Sequence, residues 1–296
     1  MKKKCKVELV GGLGNQLFGV AFGRYIEHKF GFEVEFLRSE SISKNNNHGE
    51  NLRHMSLFGQ PVHSKSLTFF QRTRLFLSQC GLGALVNSAH ESDFVFENFH
   101  PKAGMVVRGY FQTPEPFNYL SSIGAGVIER TSGASQQAWK VSKADSPGKH
   151  ACIHMRFGEY KTKPGYGPLP FEYFEQACER VFRLHARVEA FYIFSDSPED
   201  AEHFRLRLSA RFPRVEFVLS EPGKDSKPIE DLLAMSQFDV IIMANSTFSY
   251  WSAILGPTDK TVLYPNPWFM DPKILVPTIP SSWQECSFTH RSGSIA

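Results

Sequence analysis

The second half of the chain, residues 146–296, alternates short apolar runs with helix-like stretches, and this pattern constrains the fold most. The runs predicted as strands are His150–Met155, Phe191–Phe194, Val215–Leu219, Asp239–Ala244 and Thr261–Tyr264. Helices are predicted from an apolar stripe between Phe171 and His185, from Pro198 at a helix start, and around Asp231–Met235 and Phe248–Leu255. Strands that alternate with helices form a parallel sheet covered by those helices. The pattern therefore predicts a Rossmann-like α/β domain.

Polar side chains follow three of these strands at the points where the strands end. They are His154, Arg156 and Glu159 at and just beyond the end of the first, Ser195 and Asp196 after the second, and Asn245–Ser249 after a later one. Because ligands of parallel sheets bind beyond the carboxyl ends of the strands, we expect these groups to converge on one crevice. Arg156 offers a planar guanidinium to a phosphate. The alternatives are a structural Arg156–Glu159 ion pair and ordinary helix capping by a hydroxyl of the last group.

The first half of the chain begins with a strand, a glycine loop and a helix. Val7–Val10 is the predicted strand, Gly11–Gly14 the loop, and Gln16–Phe30 the helix. Glycines at a helix start let backbone N–H groups approach an anion. A dinucleotide fingerprint is not complete, because Leu17 stands where its third glycine would be. A purely structural turn remains the alternative interpretation.

Two further segments define the predicted organisation. Lys65–Leu77 is predicted as a basic, Phe-rich helix, and its stripe of Leu67, Phe70, Arg74 and Leu77 is interpreted as a core face rather than a membrane anchor. The Pro, Gly and Ser content of Ser142–Gly148 indicates a linker. We therefore expect two α/β domains, residues 1–145 and residues 146–296, with a cleft between them.

Composition excludes several classes of protein. The five cysteines are odd in number, widely spaced and without a C-x-x-C pair, which favours reduced thiols in a cytosol over disulfides or zinc. A net charge of +3 on 296 residues is not that of a dedicated nucleic-acid-binding protein. No apolar run approaches the roughly 18–20 residues of a membrane helix. The sequence has no D-x-D motif, so it does not indicate a carboxylate pair that bridges a metal to a diphosphate.

Four ordered motifs resemble those of one enzyme family. They are Gly11-Gly12-Leu13-Gly14-Asn15-Gln16-Leu17-Phe18, His154-x-Arg156-x-Gly158-Glu159-Tyr160, Phe194-Ser195-Asp196 and Ala244-Asn245-Ser246-Thr247-Phe248-Ser249-Tyr250-Trp251. In order and spacing they resemble the bacterial α-1,2-fucosyltransferases of glycosyltransferase family 11. The resemblance extends over nearly the whole chain.

This resemblance implies a GT-B fold and a metal-independent, inverting transfer without a cofactor. The implied donor is GDP-β-L-fucose, and the implied acceptor is the 2-hydroxyl of a terminal galactose in an O-antigen-type surface glycan, which a lipid can carry. It also implies a cytoplasmic location, with peripheral contact at the inner membrane compatible with it. No nucleic acid and no transmembrane segment are expected.

The resemblance also assigns roles to individual residues. Arg156 matches the arginine expected on the β-phosphate, and Asn15 the asparagine of the glycine loop. From its position three residues after Arg156 on the loop that leaves the strand, Glu159 is a candidate for the base that takes the acceptor proton. The alternative is that Glu159 only pairs with Arg156 or braces the loop, while the departing phosphate takes the proton. The positions implied around the donor are Gly12, Gly14, His154, Ser195, Asp196, Asp231, Asn245, Ser246, Thr247 and Ser249.

The chain also departs from the family pattern. Phe157 replaces a usual second arginine, Glu159 an aspartate, Ser197 a second aspartate, and Tyr250 and Ser252 a Trp and a Gly. Arg156 must then contact the phosphate without its usual neighbour. Two other classes remain open from sequence, namely a nucleotide-dependent oxidoreductase and a non-catalytic glycan-binding relative, and the intact Arg156 and Asn15 disfavour the second.

Overall fold

The computed structural model describes residues 2–38, 52, 55–58, 60–84, 86–93, 96–126, 128–130, 150–220, 228–256 and 258–288. The chain divides into two compact units, Met1–Ala134 and Ser135–Ala296. The predicted linker Ser142–Gly148 and the predicted boundary after residue 145 lie outside the described residues. Within the described ranges, no helix has both the length and the apolar character needed to cross a membrane.

The first unit contains a parallel sheet and a small antiparallel one. Its strands are β1 (Lys4–Leu9), β2 (Glu33–Arg38), β3 (Met55–Leu57), β4 (Gln60–Pro61), β5 (Ser64–Ser66), β6 (Ser88–His90), β7 (Val106–Arg108) and β8 (Ile128–Arg130), and its helices are α1 (Leu13–Phe30), α2 (Phe69–Leu77) and α3 (Glu115–Ser122). The larger sheet has the order β5-β2-β1-β7-β6 with parallel pairing throughout, and the smaller has the order β4-β3-β8. The strand, glycine loop and helix predicted at the start of the chain are confirmed as β1, its turn and α1.

Helix α1 is buried almost all round, because it lies against the sheet and also packs against α3. A β-carbon at Gly23 would collide with the Phe36 ring of β2, so glycine permits this close approach. The helix ends at Gly31, whose φ of 69° is left-handed and whose N–H donates to the Glu27 carbonyl.

The prediction of one helix over Lys65–Leu77 is wrong at its N-terminal end. Ser64–Ser66 forms β5 and pairs in parallel with β2. Helix α2 begins only at Phe69, because Thr68 caps it through a reciprocal pair of hydrogen bonds with Gln71. Pairing with a distant strand thus overrides the local helical pattern.

The core interpretation of the stripe on this helix is also wrong for Phe70. Leu67 and Leu75 are buried with Gln71, whereas the Phe70 side chain is 78% exposed. The guanidinium of Arg74 donates to three backbone carbonyls near β6 and β7, so it fixes the helix to the sheet. The side of α2 that faces the sheet therefore contains Gln71 and Leu75, and not Phe70 as the sequence pattern indicates.

The second unit is a six-stranded parallel sheet with helices. Its strands are β9 (His150–Met155), β10 (Ala190–Ser195), β11 (Glu216–Leu219), β12 (Val240–Ile242), β13 (Thr261–Asn266) and β14 (Gln284–Ser287), and its helices are α4 (Phe171–Leu184), α5 (Pro198–Arg211), α6 (Pro228–Met235) and α7 (Thr247–Ile254). The order is β11-β10-β9-β12-β13-β14, and every pair is parallel. The predicted alternation is confirmed, and only β14 was not predicted among these strands.

The core of this unit lies on both sides of the central strands. In β9, every residue after His150 is buried, as expected when helices cover both faces of a parallel sheet. The predicted stripe of α4 is buried through Phe171, Phe174, Cys178 and Val181. Its last member, His185, is instead half-buried at the helix end, where its Nε2 lies 2.8 Å from the Thr261 hydroxyl.

The strand order reverses at β9. From β9 the chain adds β10 and then β11 on one side, and it returns to pair β12 with the other side of β9. Ligands of such sheets bind outside the carboxyl ends of the strands at this switch point. The residues that follow β9, β10 and β12 therefore define the candidate site.

Candidate functional site

Arg156 follows β9 and is held by the carboxylate that follows β10. Its Nη1 lies 2.7 Å from Asp196 Oδ2, and Asp196 Oδ1 accepts the Phe157 N–H at 2.9 Å. The side chains of Arg156 and Asp196 remain 30% and 23% exposed. The adjacent parallel strands thus present a fixed guanidinium whose remaining N–H groups can meet an anion.

Gly158 makes this arrangement sterically feasible. Its φ of 20° is positive, and a β-carbon there would collide with the Asp196 carboxylate and lie 3.9 Å from Arg156 Cζ. Any larger residue would therefore displace the ion pair.

Glu159 lies in a 3₁₀ helix, Gly158–Lys161, directly after this glycine. Its Oε1 is 3.6 Å from Arg156 Nη2, and its Oε2 is 2.8 Å from Lys163 Nζ. Partial burial raises the pKa of Glu159, but hydrogen bonding and charge attraction from Lys163 and Arg156 outweigh burial and lower it. The ion pair weighed from the sequence is thus present, and the role as a base stays a prediction.

The side chain of His154, near the end of β9, contacts α7 and is uncharged. The side chain is buried, its Nδ1 hydrogen-bonds with the Ser249 hydroxyl, and its ring stacks on Phe248 at 5.4 Å. Ser249 Oγ also accepts the Ala244 N–H at 3.2 Å. Burial, and then the positive charge of Arg156, lower the pKa of His154 to about 3. Its imidazole is therefore uncharged near neutral pH and holds the strand end in place.

Asn245 connects the end of β12 to the loop after β9. It is fully buried, and its Nδ2 donates to the carbonyls of Tyr166 and Gly167 at 3.3 and 3.2 Å. Its Oδ1 is a buried acceptor without a hydrogen-bond partner among the residues that the structure describes. Ser246 Oγ accepts the Phe248 N–H, so the helix-capping alternative is confirmed for this hydroxyl.

The remaining predicted residues of this unit lie at the end of β10, at the start of α7 and in α6. Ser195 ends β10, and its Oγ accepts the Ser197 N–H at 3.1 Å. Thr247 is the first residue of α7. Asp231 lies in α6, which packs against α7. Burial, with a contribution from Glu230, raises the pKa of Asp231 to about 6, and its Oδ1 has no hydrogen-bond partner within the described ranges.

An aromatic group beside Arg156 was not anticipated from the sequence. Tyr160 and Tyr166 have ring centroids 5.3 Å apart, and Tyr166 lies 4.7 Å from Phe269. The Arg156 Cζ sits 5.5 Å from the Tyr160 ring centre, and the Tyr160 hydroxyl donates to the Asn245 carbonyl at 3.2 Å. In the sequence, Tyr160 could have been identified through its place in the second motif. No local pattern in the sequence connects Tyr160 or Tyr166 with Phe269.

The glycine loop belongs to the first unit. Gly11 has a φ of 70°, and Gly12 is the N-cap of α1 with open space where its β-carbon would be. Gly14 is buried in the first turn. Asn15 Oδ1 accepts a hydrogen bond from Gln112 Nε2 at 2.9 Å, which fixes its amide. The first turn of α1 has no acidic residue, so its positive end is not neutralised locally.

No group of three or more His, Cys, Asp or Glu side chains in the described part of the chain is arranged to hold a metal ion.

Comparison with known proteins agrees with the motifs. The model of glycosyl transferase family 11 matches residues 91–275, which is more than half of the chain. The O-antigen biosynthesis glycosyltransferase WbnK of Escherichia coli is 32% identical over 122 residues, covering 40% of this chain and 38% of that protein. The crystal structure of the fucosyltransferase NodZ from Bradyrhizobium matches 87% of this chain and 94% of its own at 11% identity and a TM-score of 0.53.

The two parallel sheets with their helices and the match to NodZ show a fold of the GT-B-like class, as predicted. The chain belongs to glycosyltransferase family 11, which confirms the resemblance found in its motifs. The alternative of an oxidoreductase does not agree with this family.

Proposed function

We propose that the protein is an inverting α-1,2-fucosyltransferase that moves L-fucose from GDP-β-L-fucose to the 2-hydroxyl of a terminal galactose in an O-antigen-type glycan. The names of WbnK and NodZ support this choice of sugar and product class. The observation that carries the proposal is the Arg156 guanidinium, which Asp196 fixes at the switch point of the sheet while leaving it partly open.

The proposed role of Arg156 follows from the charges of the reaction. Breaking the fucose–phosphate bond leaves negative charge on the diphosphate and oxocarbenium character on the sugar. A preorganised cation at that position stabilises the departing charge, and such electrostatic effects are usually the largest catalytic contribution. Asp196 positions the guanidinium through Nη1, and a phosphate would compete with the weaker Glu159 contact at Nη2, 3.6 Å long, for the other N–H groups.

The donor-binding roles that we propose for Asp231 and Asn245 rest on the family resemblance and, for Asn245, on its place just beyond the end of β12. The other residues of this unit that we assign to the donor site are His154, Ser195, Ser246, Thr247 and Ser249. For Gly12, Gly14 and Asn15 of the first unit, the proposed donor-binding role rests on the family resemblance of their motif. His154 and Ser249 would hold the strand end rather than contribute charge, because the imidazole is neutral.

Glu159 has two proposed roles that a single substitution separates. As a base it would take the proton of the acceptor hydroxyl, which requires a reach of roughly 3 Å directly or through one water. As a structural residue it would only pair with Arg156 and Lys163, and the departing phosphate would take the proton. The lowered pKa of Glu159 and its two cationic partners favour the structural role.

The direct test is a transfer assay with GDP-fucose and a set of β-galactoside acceptors, with the product linkage determined by NMR. We expect an α-1,2-linked product, and calorimetry should show GDP binding in preference to UDP and NAD. Equal affinity for all three nucleotides would refute the donor assignment. Binding of GDP and glycan without any transfer would identify a non-catalytic relative.

We further propose that the transfer needs no metal, because Arg156 supplies positive charge and the sequence lacks a D-x-D motif. Activity should therefore survive excess EDTA. A strict requirement for Mg²⁺ or Mn²⁺ would show that carboxylates such as Asp196 have another role. A cytoplasmic location, with contact at the inner membrane, completes the proposal.

A further inference from the structure

Three aromatic side chains beside Arg156 have no part in the proposed chemistry. They are Tyr160, Tyr166 and Phe269, which we name the aromatic group. Tyr160 and Tyr166 belong to the segment that follows β9, and Phe269 to the segment that follows β13. All three are half-buried, so each keeps part of its surface accessible. The aromatic group therefore lies at the carboxyl edge of the sheet, where ligands of parallel sheets bind.

The aromatic group is held in place by contacts at the end of β12. The Tyr160 hydroxyl donates to the Asn245 carbonyl at 3.2 Å, and Asn245 Nδ2 donates to the carbonyls of Tyr166 and Gly167 at 3.3 and 3.2 Å. Tyr166 packs against Phe269 with ring centroids 4.7 Å apart, and Tyr160 meets Phe269 edge-on at 6.3 Å. The rings are thus preorganised, and a ligand would not have to order them on binding.

The distance between the aromatic group and Arg156 favours the sugar of the donor over its base. Arg156 Cζ lies 5.5 Å from the Tyr160 ring centre, and a phosphate oxygen on this guanidinium would lie about 2.8 Å from a nitrogen. The donor sugar is joined to that phosphate through one oxygen, so its ring begins three bonds from the contacted oxygen. The guanine is separated from the same phosphate by a second phosphate and a ribose. Rings this close to the guanidinium are therefore within reach of the sugar.

The chemistry of the three rings indicates which part of the sugar they bind. Cations lie over the two tyrosines, Arg156 over Tyr160 at 5.5 Å and Lys163 over Tyr166 at 5.4 Å, and Phe269 adds a purely apolar ring. A 6-deoxyhexose has a methyl group where other hexoses have a hydroxymethyl, three bonds beyond the anomeric carbon. A phenyl ring attracts a methyl group by dispersion but offers a hydroxyl no acceptor of comparable strength to the water that it loses.

We propose that the aromatic group selects a 6-deoxy sugar on the donor, with the Phe269 ring in contact with the methyl group. This inference rests on the proposed function, because it takes the donor phosphate to be held by Arg156. It adds the feature of the site that distinguishes one GDP-sugar from another. A hydroxymethyl group would bury a hydroxyl against the ring, and a hydrogen would lose the contact.

The test compares three GDP-sugars that differ only in the substituent at C5. GDP-L-fucose carries a methyl group, GDP-L-galactose a hydroxymethyl group, and the pyranose form of GDP-D-arabinose a hydrogen. We expect the wild type to use GDP-L-fucose with a kcat/KM about 10- to 200-fold above that of the other two, which is the range for one methyl-sized group in an apolar pocket.

Substitutions at Phe269 should change this preference without changing the binding of GDP. Phe269→Ser should lower the preference to about threefold or less, because a serine loses the methyl contact and can pair with a hydroxyl. Phe269→Leu keeps an apolar side chain and should retain most of it. The matched control is Phe212→Ser, which removes another half-buried phenylalanine, one that packs on Phe182 at 5.2 Å before the amino end of β11. The control should discriminate among the donors as the wild type does.

The outcomes that would overturn the proposal are distinct. Equal kcat/KM for the three donors in the wild type, or an unchanged preference in a Phe269→Ser variant that melts as a folded protein, would each do so. A large loss of GDP affinity in Phe269→Ser would place the ring at the base instead, and a raised acceptor KM with unchanged donor preference would place it at the acceptor. Absence of transfer from all three GDP-sugars would refute the proposed function and this inference with it, whereas transfer without discrimination would refute this inference alone.

Discussion

The interaction between Arg156 and Asp196 predicts a specific pattern in a double-mutant cycle. Asp196→Asn keeps the size of the side chain and an oxygen that can accept the Phe157 N–H, but it removes the charge 2.7 Å from Arg156. A hydrogen bond between charged groups contributes about 1.5–3 kcal/mol. Both side chains are about a quarter exposed, and solvent screening reduces this to about 1–2 kcal/mol. We therefore expect kcat/KM to fall about 5- to 30-fold.

The Arg156→Ala variant sets the scale of the cycle. Removing a preorganised group that stabilises developing charge costs about 100- to 1,000-fold in rate. If Asp196 acts only by positioning Arg156, the double variant should be no slower than Arg156→Ala alone. If the two residues act independently, their effects should multiply to about 500-fold or more.

The assay is steady-state transfer from GDP-fucose to a galactoside, with GDP affinity measured by calorimetry on the same preparations. A suitable control is Glu202→Gln, which disrupts another arginine–carboxylate pair of this unit, that of Arg205 at 2.6 Å on α5. This control should stay within about twofold of the wild type. Multiplicative losses in the Arg156 and Asp196 cycle would refute the positioning role, and full activity of a folded Arg156→Ala variant would refute the use of Arg156 altogether.

Three further predictions concern Glu159, His154 and Asp231. Glu159→Gln should change turnover only a few-fold if the residue is structural, whereas a base predicts a loss on the order of 100-fold with GDP affinity little changed. His154 has a pKa of about 3 when folded and takes up a proton in the unfolded chain below its ordinary value of 6.5, so stability should fall as pH drops from about 6.5 to 3. Urea unfolding should show a slope of up to about 1.4 kcal/mol per pH unit from this residue, and an equal slope in His154→Gln would contradict the assignment. Asp231 holds its proton up to about pH 6 when folded but loses it near pH 4 when unfolded, so its contribution to stability falls as pH rises through that window. Asp231→Asn should therefore melt higher than the wild type above pH 6 but not at pH 4, and identical melting at both would show that the carboxyl is not perturbed.

Local sequence patterns predicted the second unit well. His150–Met155 was predicted as a strand with the bounds that the structure gives, and the start of α5 at Pro198 was placed by the preference of proline for a first helical turn. Both signals depend only on neighbouring residues. The parallel arrangement followed from the alternation of strands and helices, which leaves few other ways to bury the apolar faces. The same alternation located the end of each strand, and the polar residues of the candidate site were identified because they stand at those ends.

The sequence by itself thus determined the fold class, the family and the positions of Arg156, Asp196 and Asn245 at strand ends. Only the tertiary structure decided which of these groups meet, such as the Arg156–Asp196 ion pair and the contact of Tyr166 with Phe269. The physical reason is that periodicity tells which residues share a face, whereas burial and pairing depend on what the rest of the chain packs against that face. Phe70 illustrates this difference, because its position in an apolar stripe was visible in the sequence but its exposure depends on how α2 lies against its sheet.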